Sequence, residues 1–183
     1  MAEQEAPGRL ETLRLFLNTL DVEKGHDELG DWGEVVSWLL GAGLMSKGAD
    51  GGGPEGLATV RHVRESFRDL LHAEAHGGDD PEARATLNDI AEQAQLRPKI
   101  AGPGEAGFAV GRGGVIGALG QLMAIAIEAM SDGTWERLKV CDNDGCAWAF
   151  YDHSRNRSGR WCSMEVCGNR MKVKAYRERA ASE

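Results

Sequence analysis

The sequence predicts a mainly α-helical fold with a small β-hairpin, divided into a helical domain over residues 1–135 and a compact second module over 136–183. Three observations carry this. Apolar residues recur at helical spacing through the first 140 residues, with glycine-rich breaks between the stretches. All four cysteines fall in the last 43 residues. The charge divides along the same line: the net −8 of the chain conceals a net +2 over residues 141–183 and −10 before them. Such asymmetry points to a basic module that meets nucleic acid or another anionic surface. A chain of 183 residues holds one ordinary core and a small appendage.

Leu10, Leu13, Leu17 and Leu20 form one apolar stripe and predict a first helix. Asn18 and Thr19 lie within it; polar groups in such a place either contact a ligand or satisfy neighbouring backbone. Asp31 followed by Glu34 is a capping-box signal for a second helix through Val35, Val36, Trp38, Leu39 and Leu40. After the loop of Gly51, Gly52 and Gly53, Pro54 suits a first helical position, and Val60, Val63, Phe67, Leu70 and Leu71 continue as one stripe. Near the end of that helix, His72 and His76 share a face. A zincin motif would place Glu directly after the first histidine; here Glu74 comes two later, so the stretch reads as a solvated helix end before Gly77. Asp80 and Pro81 open the next helix, toward Leu87, Ile90 and Ala94.

Short apolar pieces around Ile100 and at 108–110 flank a Gly102, Pro103, Gly104 turn and predict a hairpin. Residues 115–130 are apolar on nearly all sides, which marks a helix central to the core or partly buried in a dimer contact, with Gly133 as its stop. Gly111 and Gly113 before it suggest a dinucleotide loop, but the third glycine of that motif would fall on Ile116; a tight turn and close packing at Gly117 and Gly120 account for the glycines. The apolar run 115–127 is shorter than the ~20 residues that cross a bilayer. The first residues lack a basic region followed by an apolar one. A cytoplasmic protein without a membrane span is expected. No Ser-His-Asp, Cys-His or paired-carboxylate arrangement supports an enzyme.

Cys141, Cys146, Cys162 and Cys167 form two C-x4-C pairs separated by fifteen residues. In a reducing compartment, matched pairs are read as metal ligands before disulfides. Four thiolates suit tetrahedral Zn2+, and a site closed by four protein ligands is structural. Redox-active or unliganded thiols are the alternatives. Trp148 and Phe150 alternate in a strand, and Arg160, Trp161 and Cys162 return as its partner across a turn at 156–159. A helix over 168–179 follows and would place Cys167 at its N-terminus, where the dipole favours a thiolate. Hairpin, ligand and helix together make a treble-clef-like zinc finger. Arg155, Arg157, Arg160, Arg170, Lys172, Lys174 and Arg177 are the candidate nucleic-acid contacts, with Arg170, Lys174 and Arg177 on one helical face. Solvated charges are the bland alternative.

The pattern C-x4-C-x3-F-x-D-x-S-R-N, then R-W-C-S-M-x-x-C-G-N-R-x-K, resembles the CGNR zinc-finger family. It is carried by Cys141, Cys146, Phe150, Asp152, Ser154, Arg155, Asn156, Arg160, Trp161, Cys162, Met164, Cys167, Gly168, Asn169, Arg170 and Lys172. The resemblance implies that the cysteines bind zinc and that the basic finger binds DNA. Gly159 stands where family members often carry the first of two basic residues. Phe16, Leu17, Asn18 and Thr19, the segment 38–44, and the hairpin before the long apolar helix resemble the ABATE domain that accompanies such fingers. Together they imply a stress-linked transcription regulator whose helical domain dimerises or senses a small-molecule effector. The competing expectations are a zinc-stabilised module for protein or RNA, and a thiol switch in which oxidation expels the metal.

Overall fold

The computed structural model describes residues 5–48 and 52–181. Helix α1 (Leu10–Leu17) leads into a two-residue antiparallel pair, β1 (Leu20–Asp21) with β2 (His26–Asp27). Helices α2 (Trp32–Gly41), α3 (Gly53–Ala75) and α4 (Pro81–Gln93) follow, then a hairpin of β3 (Leu96–Gly102) with β4 (Glu105–Val110), and the long α5 (Gly114–Asp132). A 3-10 turn at Trp135–Arg137 joins this body to β5 (Leu138–Val140), which pairs antiparallel with β6 (Ala149–Tyr151). A π-helical turn, Met164–Gly168, runs into the last helix, α6 (Asn169–Ala181).

The predicted starts of α2 and α4 hold in atomic detail. Asp31 accepts from Glu34 N while Glu34 reaches back to Asp31 N, and Asp80 accepts from Ala83 N. Each satisfies donors that a helix N-terminus otherwise leaves bare. Helix α3 starts at Gly53, with Pro54 in its first turn; Gly51 lies outside the described residues. The hairpin forms around Gly102 and Gly104, with Pro98 opposite Phe108 and an irregularity between Ile100 and Gly102.

Two expectations about α1 need correction. The helix ends at Leu17, so Leu20 belongs to β1, and Asn18 and Thr19 follow the helix instead of lying within it. Thr19 donates back to the Phe16 carbonyl, and the Arg68 guanidinium from α3 donates to the carbonyls of Leu17 and Leu20. These groups terminate the helix by taking up its last carbonyls.

Leu13, Phe16 and Leu17 of α1, Val35 and Leu39 of α2, Val60, Val63 and Phe67 of α3, and Leu119 and Leu122 of α5 are completely buried in one core. Each such side chain contributes ~1.5–3 kcal/mol through removal from water. Helix α5 packs on α1, α3, α4 and β4, so most of its apolar surface is used within the chain, in the core role that its sequence allowed. At 19 residues it is longer than the apolar run that predicted it, and long and apolar enough by itself to cross a membrane; here most of that length is buried by its neighbours. Gly117 and Gly120 mark close approaches, because a Cβ would come within 2.2 Å of the Arg112 carbonyl oxygen at the first and within 2.4 Å of the Ala94 side chain at the second. The glycines at 117 and 120 thus serve close packing within α5, as the sequence suggested, and Gly111 ahead of it lies against Gln95.

The core does not stop at residue 135. Leu138 and Val140 of β5, and Ala149 and Tyr151 of β6, belong to the same cluster as the helices, and β5 packs on α3 while β6 packs on α1.

Candidate metal centre and basic helix

The first cysteine pair occupies the loop between β5 and β6. Cys141 N donates to Trp148 O, and Cys146 N and Ala147 N both donate to Asn143 O, closing a tight turn with Ala147 in the left-handed region. The second pair brackets the start of the last helical segment. Ser163 caps it by accepting from Val166 N, and Cys167 lies in the π turn, buried. The helical segment thus starts at Met164, earlier than predicted, and places Cys162 just before its N-cap. The expected pairing of 160–162 with β6 is also corrected. The partner of β6 is β5, and Arg160 O instead accepts from Asp142 N in the first cysteine loop. Leu138 and Val140 are buried on the helical body, which makes β5 the apolar strand; the Arg160 side chain is held by an ion pair to Asp142 and lies 5.3 Å from the Trp161 ring centre.

The four Sγ atoms lie within 4.8 Å of one another. Cys146 and Cys162 are 3.6 Å apart, Cys162 and Cys167 3.7 Å. Disulfides need about 2.05 Å, whereas Zn–S bonds of about 2.3 Å at tetrahedral angles put sulfurs about 3.8 Å apart. The spacing therefore fits one tetrahedral metal ion, and the described residues place a metal-binding cluster here. Thiols this close do not ionise independently. Hydrogen bonds from Cys146 and Cys162 pull the Cys141 thiol far down, and donating to Cys141 pushes Cys146 and Cys162 up. A cation removes that conflict by holding several sulfurs as thiolates at once. Asn143 Nδ2 donates to Cys167 Sγ, and the backbone of Asn143 and Cys162 also favours the Cys141 thiolate.

Asp152 explains much of the motif that follows β6. It is buried beside Lys139, accepts from the backbone N–H groups of Ser154 and Gly159, and so folds the loop 152–159. Burial opposes its charge, yet Lys139 and these donors together hold the carboxyl at about 2. Lys139 also donates to the carbonyls of Arg157 and Gly159. A Cβ on Gly159 would lie 2.8 Å from the Asp152 carboxyl carbon, so the departure from a basic residue there fits the local packing. Lys139 was missed by sequence reasoning because its partner lies across the hairpin.

Asn18 was singled out as a buried polar group, and its partner is now evident. Its Oδ1 accepts from Ala149 N at 2.7 Å and its Nδ2 donates to Ala149 O at 2.9 Å, so one side chain completes the free edge of β6. Both amide ends are used on backbone. Glu74 likewise turns away from the histidines and accepts from the Trp135 indole N–H.

The seven basic candidates divide. Arg157 pairs with Glu136, Arg160 with Asp142, and Arg170 with Glu23 beside the β1–β2 turn. Arg155, Lys172, Lys174 and Arg177 are exposed and form no ion pair among the described residues. Helix α6 packs on the π turn that precedes it, and residues 172–180 are exposed. Arg170, Lys174 and Arg177 line one shallow groove along it together with Val166 and Val173.

With the fold and cysteine geometry in place, comparison with known families is decisive. The family described as "Putative stress-induced transcription regulator", ABATE, matches residues 15–133. The chain belongs to the ABATE family. Residues 137–180 match the CGNR zinc finger, so this ABATE protein carries that finger directly after its helical part. No curated protein matches the chain.

Proposed function

We propose that this ABATE protein is a cytoplasmic, stress-linked transcription regulator. In this reading Cys141, Cys146, Cys162 and Cys167 hold one structural Zn2+, and α6 docks on DNA. Zinc would offset two of the four thiolate charges and tie the β5–β6 loop to the start of α6, with no coordination position left for a catalytic water. The observation that carries the reading is α6 itself: a solvent-exposed helix with Arg170, Lys174 and Arg177 along one groove, its N-terminal end beside the four-cysteine cluster. Lysine and arginine on phosphates release counterions, which gives affinity without sequence choice; base-edge contacts would add specificity. Arg155 and Lys172 extend the basic surface, Arg157 and Arg170 join it where phosphate replaces their exposed carboxylate partners, since such pairs are worth little, and Arg160 stays on the nearly covered Asp142. A single finger offers little surface, so a homodimer is part of the proposal, as is a small-molecule effector acting on the helical part.

The test is a salt series of binding to genomic DNA fragments, with the zinc-loaded protein compared with R170E/K174E/R177E. Removal of three phosphate contacts should flatten the log–log salt slope by about 3. A second reading has its own observation: Val166, Val173 and Tyr176 are exposed large apolar residues on or beside α6, which suits a protein partner or structured RNA. If wild type and variant bind DNA equally poorly, that reading replaces the first.

A further inference from the structure

We propose that His72, His76 and Asp142 form a second divalent-metal site, separate from the four-cysteine cluster, that fastens the end of α3 to the first cysteine loop. The two histidines are one helical turn apart, with ring centres 4.5 Å from each other. Asp142 joins them from far along the sequence because it follows Cys141, and the donor atoms of all three lie within 4.8 Å of one another.

The hydrogen bonds around the group leave ligand atoms facing inward. His76 Nδ1 lies 2.7 Å from the His72 carbonyl, an acceptor only, so this nitrogen carries the hydrogen and Nε2 of the neutral ring presents its lone pair. That is the arrangement by which a backbone carbonyl orients a metal-bound histidine. Asp142 Oδ2 accepts from Arg160 Nε at 2.6 Å, which steadies the carboxylate and leaves Oδ1 toward His76. The Nε2–Oδ1 separation is 3.6 Å. This is too long for a good hydrogen bond, and close to the spacing of two ligands each about 2.0–2.2 Å from one ion.

Two imidazoles and a carboxylate suit a borderline ion such as Zn2+ or Co2+ better than Mg2+ or Ca2+. Both histidines are exposed, so an ion can enter and the rings can turn to close on it. Asp142 is nearly covered, with its side chain 9% exposed, so the loop supplies a fixed ligand and the helix two adjustable ones. Three protein ligands leave a position for water. The bound ion would cross-link the helical body to the loop holding Cys141 and Cys146, so metal supply would set the stiffness of the junction as well as the fold of the finger.

The experiment titrates full-length protein with Co2+ and follows bound metal per chain alongside the thiolate-to-cobalt charge-transfer band, which reports the cysteine cluster alone. Wild type should bind two equivalents, and H72A/H76A one, with the charge-transfer band at full intensity. One equivalent in wild type, two in the variant, or loss of the band in the variant would each overturn the proposal. Both histidines are exposed, so the double variant should fold, and unchanged far-UV circular dichroism checks that it does.

Discussion

A single amide decides how the metal-binding segment meets the helices. Asn18 caps α1, yet its side chain pairs with both backbone groups of Ala149 as a neighbouring strand would. Without it, the buried Ala149 N–H would lose its partner and the buried C=O would keep only the Arg14 guanidinium at 3.5 Å, and each such loss costs about 1–3 kcal/mol. Asn18→Ala is therefore expected to destabilise the protein by about 3 kcal/mol in urea unfolding, without changing the number of metal ions bound to the cysteines. A change below about 0.5 kcal/mol would mean that the edge of β6 finds other partners. The sequence marked Asn18 as a polar residue among apolar ones, and that much was legible. Its partner was not, because a side chain that mimics a strand leaves no periodic trace in either segment. The cysteine ligands lie at the other extreme: residue type, pairing and spacing already described a tetrahedral cluster, and the structure brings those same four sulfurs together.

Among elements, the short β1–β2 pair depends on ions where hydrophobic packing is thin. Asp27 of β2 accepts two hydrogen bonds from the Arg64 guanidinium of α3, which also donates to Thr19 and Glu65 and is almost fully buried. Burial of Asp27 works against its charge, but Arg64 and the Leu29 N–H outweigh it, and the carboxyl lies below its ordinary range. A depressed carboxylate contributes stability above the unfolded pKa of about 3.9 and loses it as pH falls toward the native value. Asp27→Asn should thus cost about 2 kcal/mol at pH 7, less than breaking a fully buried pair, because Thr19 and Glu65 still hold Arg64. The gap between variant and wild type should narrow as pH falls below about 4, and comparing the two proteins cancels the effect of metal loss in acid; a constant gap would show that the charge of Asp27 is not what matters. Elements with a full period or a cap were readable from sequence: α2 from Asp31 and Glu34, α4 from Asp80, and the β3–β4 hairpin from its turn. The pairs β1–β2 and β5–β6 have strands of two or three residues, too short for alternation to register. The strand around Phe150 was therefore matched to 160–162, when its partner lay upstream at Leu138–Val140.

For the whole molecule, the consequence is that the finger is only partly an appendage. Its sequence is separable, and its charge is opposite to that of the rest, but β5 and β6 are built into the helical core through Leu138, Val140, Ala149 and Tyr151. Metal removal should then divide the segment that sequence treats as one module. The loops bearing the cysteines and the helix beyond them have little apolar packing to fall back on: their buried cluster consists of Cys141, Cys146 and Cys167, with Trp148, Trp161 and Cys162 against it. Where metal binding and folding are coupled, a chelator melts what the metal alone holds. Hydrogen exchange after chelation should show protection lost over residues 141–147 and 160–181, while 138–140, 149–151 and the helices α1 to α5 keep theirs. Loss spreading into β6 and α1 would mean that the metal also supports the helical core. Retention throughout would mean that the π turn and α6 stand on their own. This division places the metal-dependent boundary inside the β5–β6 hairpin, so that the cysteine loops and the basic helix are switched by metal while the strands that mount them stay folded.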